Sequence, residues 1–362
     1  MARYFNTQTM KGISVIIPVY NAARWLSFCL SSIVVQEGME ENELILIDDF
    51  STDDSAEMIS DYAEKYSFIV PVYHQTNRGC ATARNKGLTM ARGNYILMCD
   101  NDDRLAIPKD FAKRIKNREI DYYRKEEYPI DRFYLKKMES IARKFEVDIV
   151  FGEKVAISYA PERMLIGDHQ ILFEKSELID NKLDAQLLGW QRDSANAALY
   201  RKDFLDKHDL RFETELKRDG DIVFTRRAIA HAKRIARGSD AVYLYNIRPG
   251  SLCDLSRKMS TQSEISELAL EVKKRELITL WYALTENWQK EILQIFSERI
   301  FPEWDARCTK KGKIIKSGDV GYWDQYKYCA NASCEKCDVL QNEENLKILK
   351  DYSYLCGLSF KS

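Results

Sequence analysis

The first hundred residues alternate between unbroken apolar runs and amphipathic stretches. Ile13–Val19 (ISVIIPV) is a continuous β-branched run, the pattern of a strand buried on both faces. In residues 22–35, Trp25, Leu26, Cys29, Leu30 and Ile33 are spaced for one face of a helix. Residues 44–47 (LILI) predict a second strand that ends abruptly in Asp48 and Asp49, and 55–66 predict a second helix. Ile69–Tyr73 reads as a third strand, where Pro71 demands an edge or a strand start. Residues 82–91 are helical and Gly93 closes them; 95–99 (YILMC) form a fourth strand ending at Asp100. This βαβαβαβ order predicts a mostly parallel sheet with helices on both faces. Ligands of such sheets bind beyond the carboxyl ends of the strands. Polar residues stand at those ends: Tyr20 and Asn21, Asp48 and Asp49, and Asp100 to Asp103.

Further on, residues 109–145 are highly charged and helical in character, interrupted by Pro129. Residues 147–158 predict a strand, 171–200 are mixed, 222–232 predict a helix and 241–245 a short strand. The character changes near residue 256, and 263–300 are rich in Glu, Leu and Lys at helical spacing. The expected division is a catalytic α/β domain over 1–255 and a mainly helical C-terminal appendage over 256–362. Repeats and low-complexity tracts are absent from the sequence.

Composition narrows the classes. The 362 residues are 45% hydrophobic, enough for a sizeable core. Fifty-five Lys and Arg against 56 Asp and Glu give a formal charge of -1, which speaks against a general nucleic-acid binder. No apolar run reaches the ~20 residues that span a bilayer, and the first residues lack a signal-like stretch. The expected location is therefore the cytoplasm, where the nine cysteines read as thiols. Cys329, Cys334 and Cys337, with Cys308 or Cys356, have zinc-like spacing. No His lies nearby and no second C-x2-C pair exists, so reduced thiols are the favoured reading. Trp281, Leu284 and Trp288 suit packing on the catalytic domain, docking on the inner face of the membrane, or homo-oligomerisation. Mixed charge weighs against the membrane option.

Asp100-Asn101-Asp102-Asp103 follows a buried strand. Clustered carboxylates suit a hard divalent cation, Mn²⁺ or Mg²⁺, which completes its shell with substrate phosphates and water. A nucleotide diphosphate is a natural partner, because the metal neutralises charge on the departing group. The plainer reading is a solvated acidic turn.

The surrounding text decides between them. The chain resembles the family 2 glycosyltransferases of bacterial polysaccharide biosynthesis, inverting enzymes of the GT-A fold with a Rossmann-like nucleotide-binding sheet. The resemblance rests on residues 14–21 (SVIIPVYN), 47–53 (IDDFSTD), Asn77-Arg78-Gly79, 83–87 (ARNKG), 93–96 (GNYI) and 100–103, in order and spacing across the first ~105 residues. Phe50 departs from the family's usual Gly, a harmless change unless the backbone there needs a positive φ. The resemblance implies that Pro18 and Asp49 line the nucleotide base, that Arg84 lies near the nucleotide, and that Asp100 lies near the ribose and metal. It makes Asp102 the principal metal ligand and leaves Asp48 and Asp103 to support loop geometry. Arg84 reads equally well as a surface helix residue.

A second block carries Asp221 and Phe224, where family members have Glu-Asp, two variable residues and an aromatic; Gly220 replaces the Glu, with Asp219 a stand-in. An inverting transfer needs a carboxylate to take the acceptor's hydroxyl proton, and Asp221 is the candidate, with helix capping its alternative role. Residues 243–252 resemble the segment that orders over the donor diphosphate, with Arg248 able to fork onto phosphate oxygens. Gly189-Trp190 suits a sugar-stacking face or the core. The expected donor is a UDP-sugar and the expected acceptor a glycan or lipid-linked glycan in capsule, lipopolysaccharide or exopolysaccharide assembly. Two other classes compete. A sugar nucleotidyltransferase would carry a glycine-rich basic loop where 18–23 (PVYNAA) stands; a non-catalytic nucleotide- or glycan-binding relative draws support only from Gly220.

Overall fold

The computed structural model describes residues 12–117, 129–158, 171–180, 194–217 and 220–248, with isolated positions at Ala185, Leu188, Arg275, Ile278, Glu343 and Lys347. Gly189-Trp190, Arg218-Asp219, residues 249–252 and nearly all of 256–362, its cysteines included, lie outside them.

The described strands are β1 (Ile13–Val19), β2 (Glu43–Asp48), β3 (Ile69–Tyr73), β4 (Tyr95–Met98), β5 (Arg104–Ile107), β6 (Ile149–Ser158), β7 (Glu177–Leu178), β8 (Ala198–Arg201) and β9 (Ile235–Ile247). They form one sheet in the order β3-β2-β1-β4-β8-β6-β9-β5, with β7 also on β9. The first four are mutually parallel. Beyond β4 the sheet turns mixed: β8 runs antiparallel to both β4 and β6, β9 parallel to β6, and β5 antiparallel to β9. β3 is the outer strand, so Pro71 sits where a missing amide costs no ladder bond.

The α-helices described in full are α1 (Ala23–Val34), α2 (Ser55–Lys65), α3 (Cys80–Met90), α4 (Lys109–Lys116), α5 (Tyr134–Phe145), α6 (Lys202–Lys207) and α7 (Gly220–His231). Pleating divides their partners. Val15, Ile17, Leu44 and Leu46 pack with Leu26, Leu30 and Ile33 of α1, Ile59 of α2 and Leu135 and Met138 of α5. Ile16, Ile45, Ile47 and Ile96 face the other way, onto Ala83 and Leu88 of α3, Phe204 of α6 and Phe224 and Ile229 of α7. Each such aliphatic side chain contributes about 1.5–3 kcal/mol by leaving water. On that second face α3 lies very close to β1, because a Cβ at Gly87 would stand 2.4 Å from Ile16 Cγ2.

The turns after β1 and β2 are tied together. Asp53 accepts from the first amides of α1 (Ala23, 3.0 Å) and α2 (Ser55, 3.1 Å), and Ser55 Oγ accepts from Ala22 N at 2.8 Å. These are helix-start donors with no intrahelical partner. Burial works against the Asp53 charge, yet bonds from Ser55 and Ala23 outweigh it and lower its pKa.

Several elements differ from expectation. α3 begins at Cys80, which brings that residue into the helix's first turn. β5, β7 and β8 are strands that the sequence did not single out. β9 runs for 13 residues, far beyond the expected 241–245. Among the described residues, 109–145 hold α4 and α5 on either side of Pro129, the expected interruption. Among the described residues, no helix is long and apolar enough to cross a membrane.

Candidate functional site

The carboxyl ends of β1, β2 and β4 gather the chemistry. At the β2 end, Asp49 is 2% exposed. Its Oδ1 lies 2.7 Å from His74 Nδ1 and accepts from Arg78 N at 2.9 Å; its Oδ2 accepts from Gly79 N at 2.7 Å. Gly79 has φ +85°, which lets the chain turn its amide onto Asp49 before entering α3. Asp49 thus holds the loop that starts α3, and Oδ2 retains one lone pair for a donor. Pro18 is buried beside it on β1, and its carbonyl accepts from Asn101 Nδ2 at 2.8 Å, which joins the β1 end to the β4 end.

Arg84, one turn into α3, is partly buried. Its Nη2 donates to Asp100 Oδ1 at 2.6 Å, and its guanidinium lies 5.1 Å from the Phe212 ring centroid. Burial opposes its charge, but Cys80, Asp100 and Asp221 together hold its pKa above the ordinary value. Asp221, in the first turn of α7, therefore shares an electrostatic neighbourhood with α3 and the β4 end. Its Oδ1 also accepts from Ile222 N at 3.1 Å. Cys80 belongs to the same group: desolvation first, with Asp100, Asp221 and Asp49 adding and Arg84 opposing, pushes its thiol up to about 11. Cys80 is a free, exposed cysteine.

The acidic strand end is held from behind. Asn196 Nδ2 donates to Asp100 Oδ2 at 3.2 Å and to Asp103 Oδ2 at 3.3 Å. Its Oδ1 accepts from Ser194 Oγ at 2.7 Å, which accepts from the Nζ of buried Lys154 at 3.0 Å. Tyr243 on β9 donates its hydroxyl to Asp103 Oδ2 at 2.6 Å and accepts from Asp100 N at 3.2 Å, and Asn246 N donates to Asp103 Oδ1 at 2.8 Å. Asp103 is fully buried, and desolvation, then Asp102 and Asp100, push its carboxyl well above the carboxylate range. It is a structural hub, consistent with a loop-supporting role. Asn196, Lys154 and Ser194 had no motif to announce them; only the fold brings them behind the cluster.

Asp102 accepts from Arg248 Nε just beyond β9. Desolvation raises its pKa, Arg248 lowers it, and Asp100 raises it again. Among the described residues, no three His, Cys, Asp or Glu side chains converge as a ready cage. The donors present still fit a hard divalent cation of the kind that takes one or two protein carboxylates and completes its shell from phosphate and water. Asp102 and its neighbour Asp100 offer oxygens only, and Asp102 is paired with the positive Arg248.

A parallel βα half with carboxylates at its strand ends, continued by a mixed sheet, is the architecture of the GT-A fold. Residues 14–123 match the family model described as Glycosyl transferase family 2. The chain is 29% identical over 242 residues to the poly(ribitol-phosphate) beta-glucosyltransferase of Bacillus spizizenii, covering 65% of this chain and 32% of that protein. It is 25% identical over 259 residues to the uncharacterized glycosyltransferase EpsJ of Bacillus subtilis, covering 70% and 67%. It is 27% identical over 239 residues to the poly(ribitol-phosphate) beta-N-acetylglucosaminyltransferase TarS of Staphylococcus aureus, covering 65% and 35%. The match thus spans about a third of the first and last of these relatives. The crystal structure of S. aureus TarS 1-349 in complex with UDP-GlcNAc shares the fold, with TM-score 0.57 at 19% identity over 97% of this chain and 93% of that one.

Proposed function

We propose that the protein transfers a sugar from a UDP-sugar to an acceptor hydroxyl during assembly of a cell-surface glycan, with inversion at the anomeric carbon. The observation that carries this reading is the Arg84–Asp100 ion pair at the β4 end, with Asp221 at the start of α7 in the same electrostatic neighbourhood. Likeness to the poly(ribitol-phosphate) glycosyltransferases supports the surface-glycan setting, and the UDP-GlcNAc complex of TarS supports a UDP-sugar donor.

In this reading Pro18 and Asp49 border the nucleoside, with the remaining Asp49 lone pair available to a base N–H. Arg84 holds Asp100 in place and adds positive potential where the donor's phosphates arrive. A divalent cation on Asp102, assisted by Asp100, would supply Lewis-acid neutralisation of the departing diphosphate. Arg248, now on Asp102, is placed to exchange that carboxylate for phosphate oxygens as a charge-assisted fork. Asp221 takes the proton from the acceptor hydroxyl as its oxygen attacks the anomeric carbon. A β-linkage follows if the donor is an α-linked nucleotide sugar.

The test is nucleotide release from UDP-, GDP-, CMP- and dTDP-sugars with Mn²⁺, with and without EDTA and with a panel of polyol-phosphate and glycan acceptors. UDP release that EDTA stops and that falls at least ~100-fold in Asp221→Asn is the expected result. Asp102→Ala should lose metal-dependent turnover with its melting temperature retained. Full activity of Asp221→Asn would remove the base assignment; pyrophosphate release would point to nucleotidyl transfer instead.

A further inference from the structure

Phe50 occupies a position that its backbone does not favour. Its φ is +66°, in the left-handed region that a bulky L residue rarely adopts. Every neighbouring amide that could relieve it is committed. Asp49 N donates to Val19 O at 2.8 Å, Ser51 N to Asp48 Oδ2 at 3.2 Å and Thr52 N to Asn21 Oδ1 at 2.8 Å. Ser51 Oγ accepts from Asn21 N at 3.0 Å. Surroundings that over-determine a strained residue are how such strain persists, and strain of this kind collects at ligand sites.

Packing offers no return for it. Half of Phe50 is exposed, one of the few large apolar residues so placed among the described residues. Exposed Tyr20 directly follows the adjacent strand, whose Val19 pairs with Asp48. Asp48, 3% exposed, keeps an Oδ1 with no hydrogen-bond partner. Gly or Asn at position 50 would make the same turn without strain and without an apolar ring in water. The ring therefore has a use that the fold alone does not supply.

We infer that Phe50 is a binding and specificity residue of this chain: its ring forms one face of the nucleobase pocket and stacks on the planar heterocycle of the donor nucleotide. The inference rests on the donor-site reading above and extends it to a residue that departs from the family's usual Gly. A π-face is the common feature of every base, so stacking supplies affinity while the polar edge beside Asp49 selects. The turn spends stability to hold the ring where the base arrives.

Four proteins test this in UDP titration calorimetry with Mn²⁺ and in thermal melts: wild type, Phe50→Gly, Phe50→Ala and Phe50→Trp. Phe50→Gly is expected to melt about 2 °C higher and to bind UDP about tenfold more weakly. Phe50→Ala loses the same affinity without the gain in melting temperature, since alanine is strained at this φ too. Phe50→Trp keeps the affinity and adds a fluorescence signal, beyond that of the wild-type tryptophans, which UDP quenches. Phe50→Gly binding UDP within about twofold of wild type would overturn the inference while leaving the donor site intact, and so would a Phe50→Gly melt that does not rise. Wild-type protein that binds no UDP would overturn the donor-site reading itself, and this inference with it.

Discussion

The surroundings that keep Arg84 charged keep the Cys80 thiol protonated. Thiolate is the alkylating form, and a thiol pushed up to about 11 carries little of it near neutrality. Iodoacetamide should therefore label Cys80 slowly at pH 7.5 despite its exposure, about tenfold faster per pH unit up to about 11. Peptide mass spectrometry reads the rate at this one site. Asp100→Asn removes a negative neighbour and should speed labelling; Arg84→Gln removes the positive one and should slow it further. Near-neutral rates matching those of an unperturbed thiol would show that the surroundings do not desolvate this thiol. At this scale short motifs announced that Asp49 and Asp102 stand at strand ends, as the structure places them. The sequence was silent on Asn196 and Lys154, single polar residues whose partners lie far away in the chain. At Phe50 the family's usual Gly hinted at a backbone that needs a positive φ, and the structure shows φ +66°, held by bonds to Asn21 and Asp48 that the sequence did not reveal.

Among elements, α3 controls the site. It carries Cys80 and Arg84 and rests on β1 through Gly87. Gly87→Ala would force a Cβ to 2.4 Å from Ile16 Cγ2, with an overpacking cost of about 1–3 kcal/mol. Urea unfolding measures that loss, and adding Ile16→Ala should recover part of it. Asn196→Ala leaves Asp100 and Asp103 short of a donor, and a loss of about 1–3 kcal/mol is expected together with weaker nucleotide binding. The parallel strands could be read from sequence because burial on both faces leaves unbroken apolar runs. β5 (RLAI) and β8 (ALYR) are too short to show a period. β9 looked shorter than it is because Gly238, Ser239 and Asp240 interrupt it. There the register against β6 shifts after Phe151, and Asp240 has φ +70°. Such an irregularity lets polar residues leave the ladder without ending the strand.

At the scale of the molecule, the parallel half supplies the cleft and the mixed half closes it from behind, through Asn196 and through Tyr243 and Asn246 of β9. The β4 edge, however, is completed by β8, whose first residue comes about a hundred positions after the last of β4. At about 5–20 residues per second, a growing chain leaves that edge unpaired for roughly 5–20 s of translation. An unpaired edge of apolar residues invites other chains. Synthesis of this protein thus has a vulnerable interval set by strand order alone. In refolding, pulse-labelled amides on the outer side of β4 should gain protection in step with β8, after those of β1. Slowed translation between residues 99 and 197 would lengthen the interval and favour aggregation over yield, with no amino acid changed.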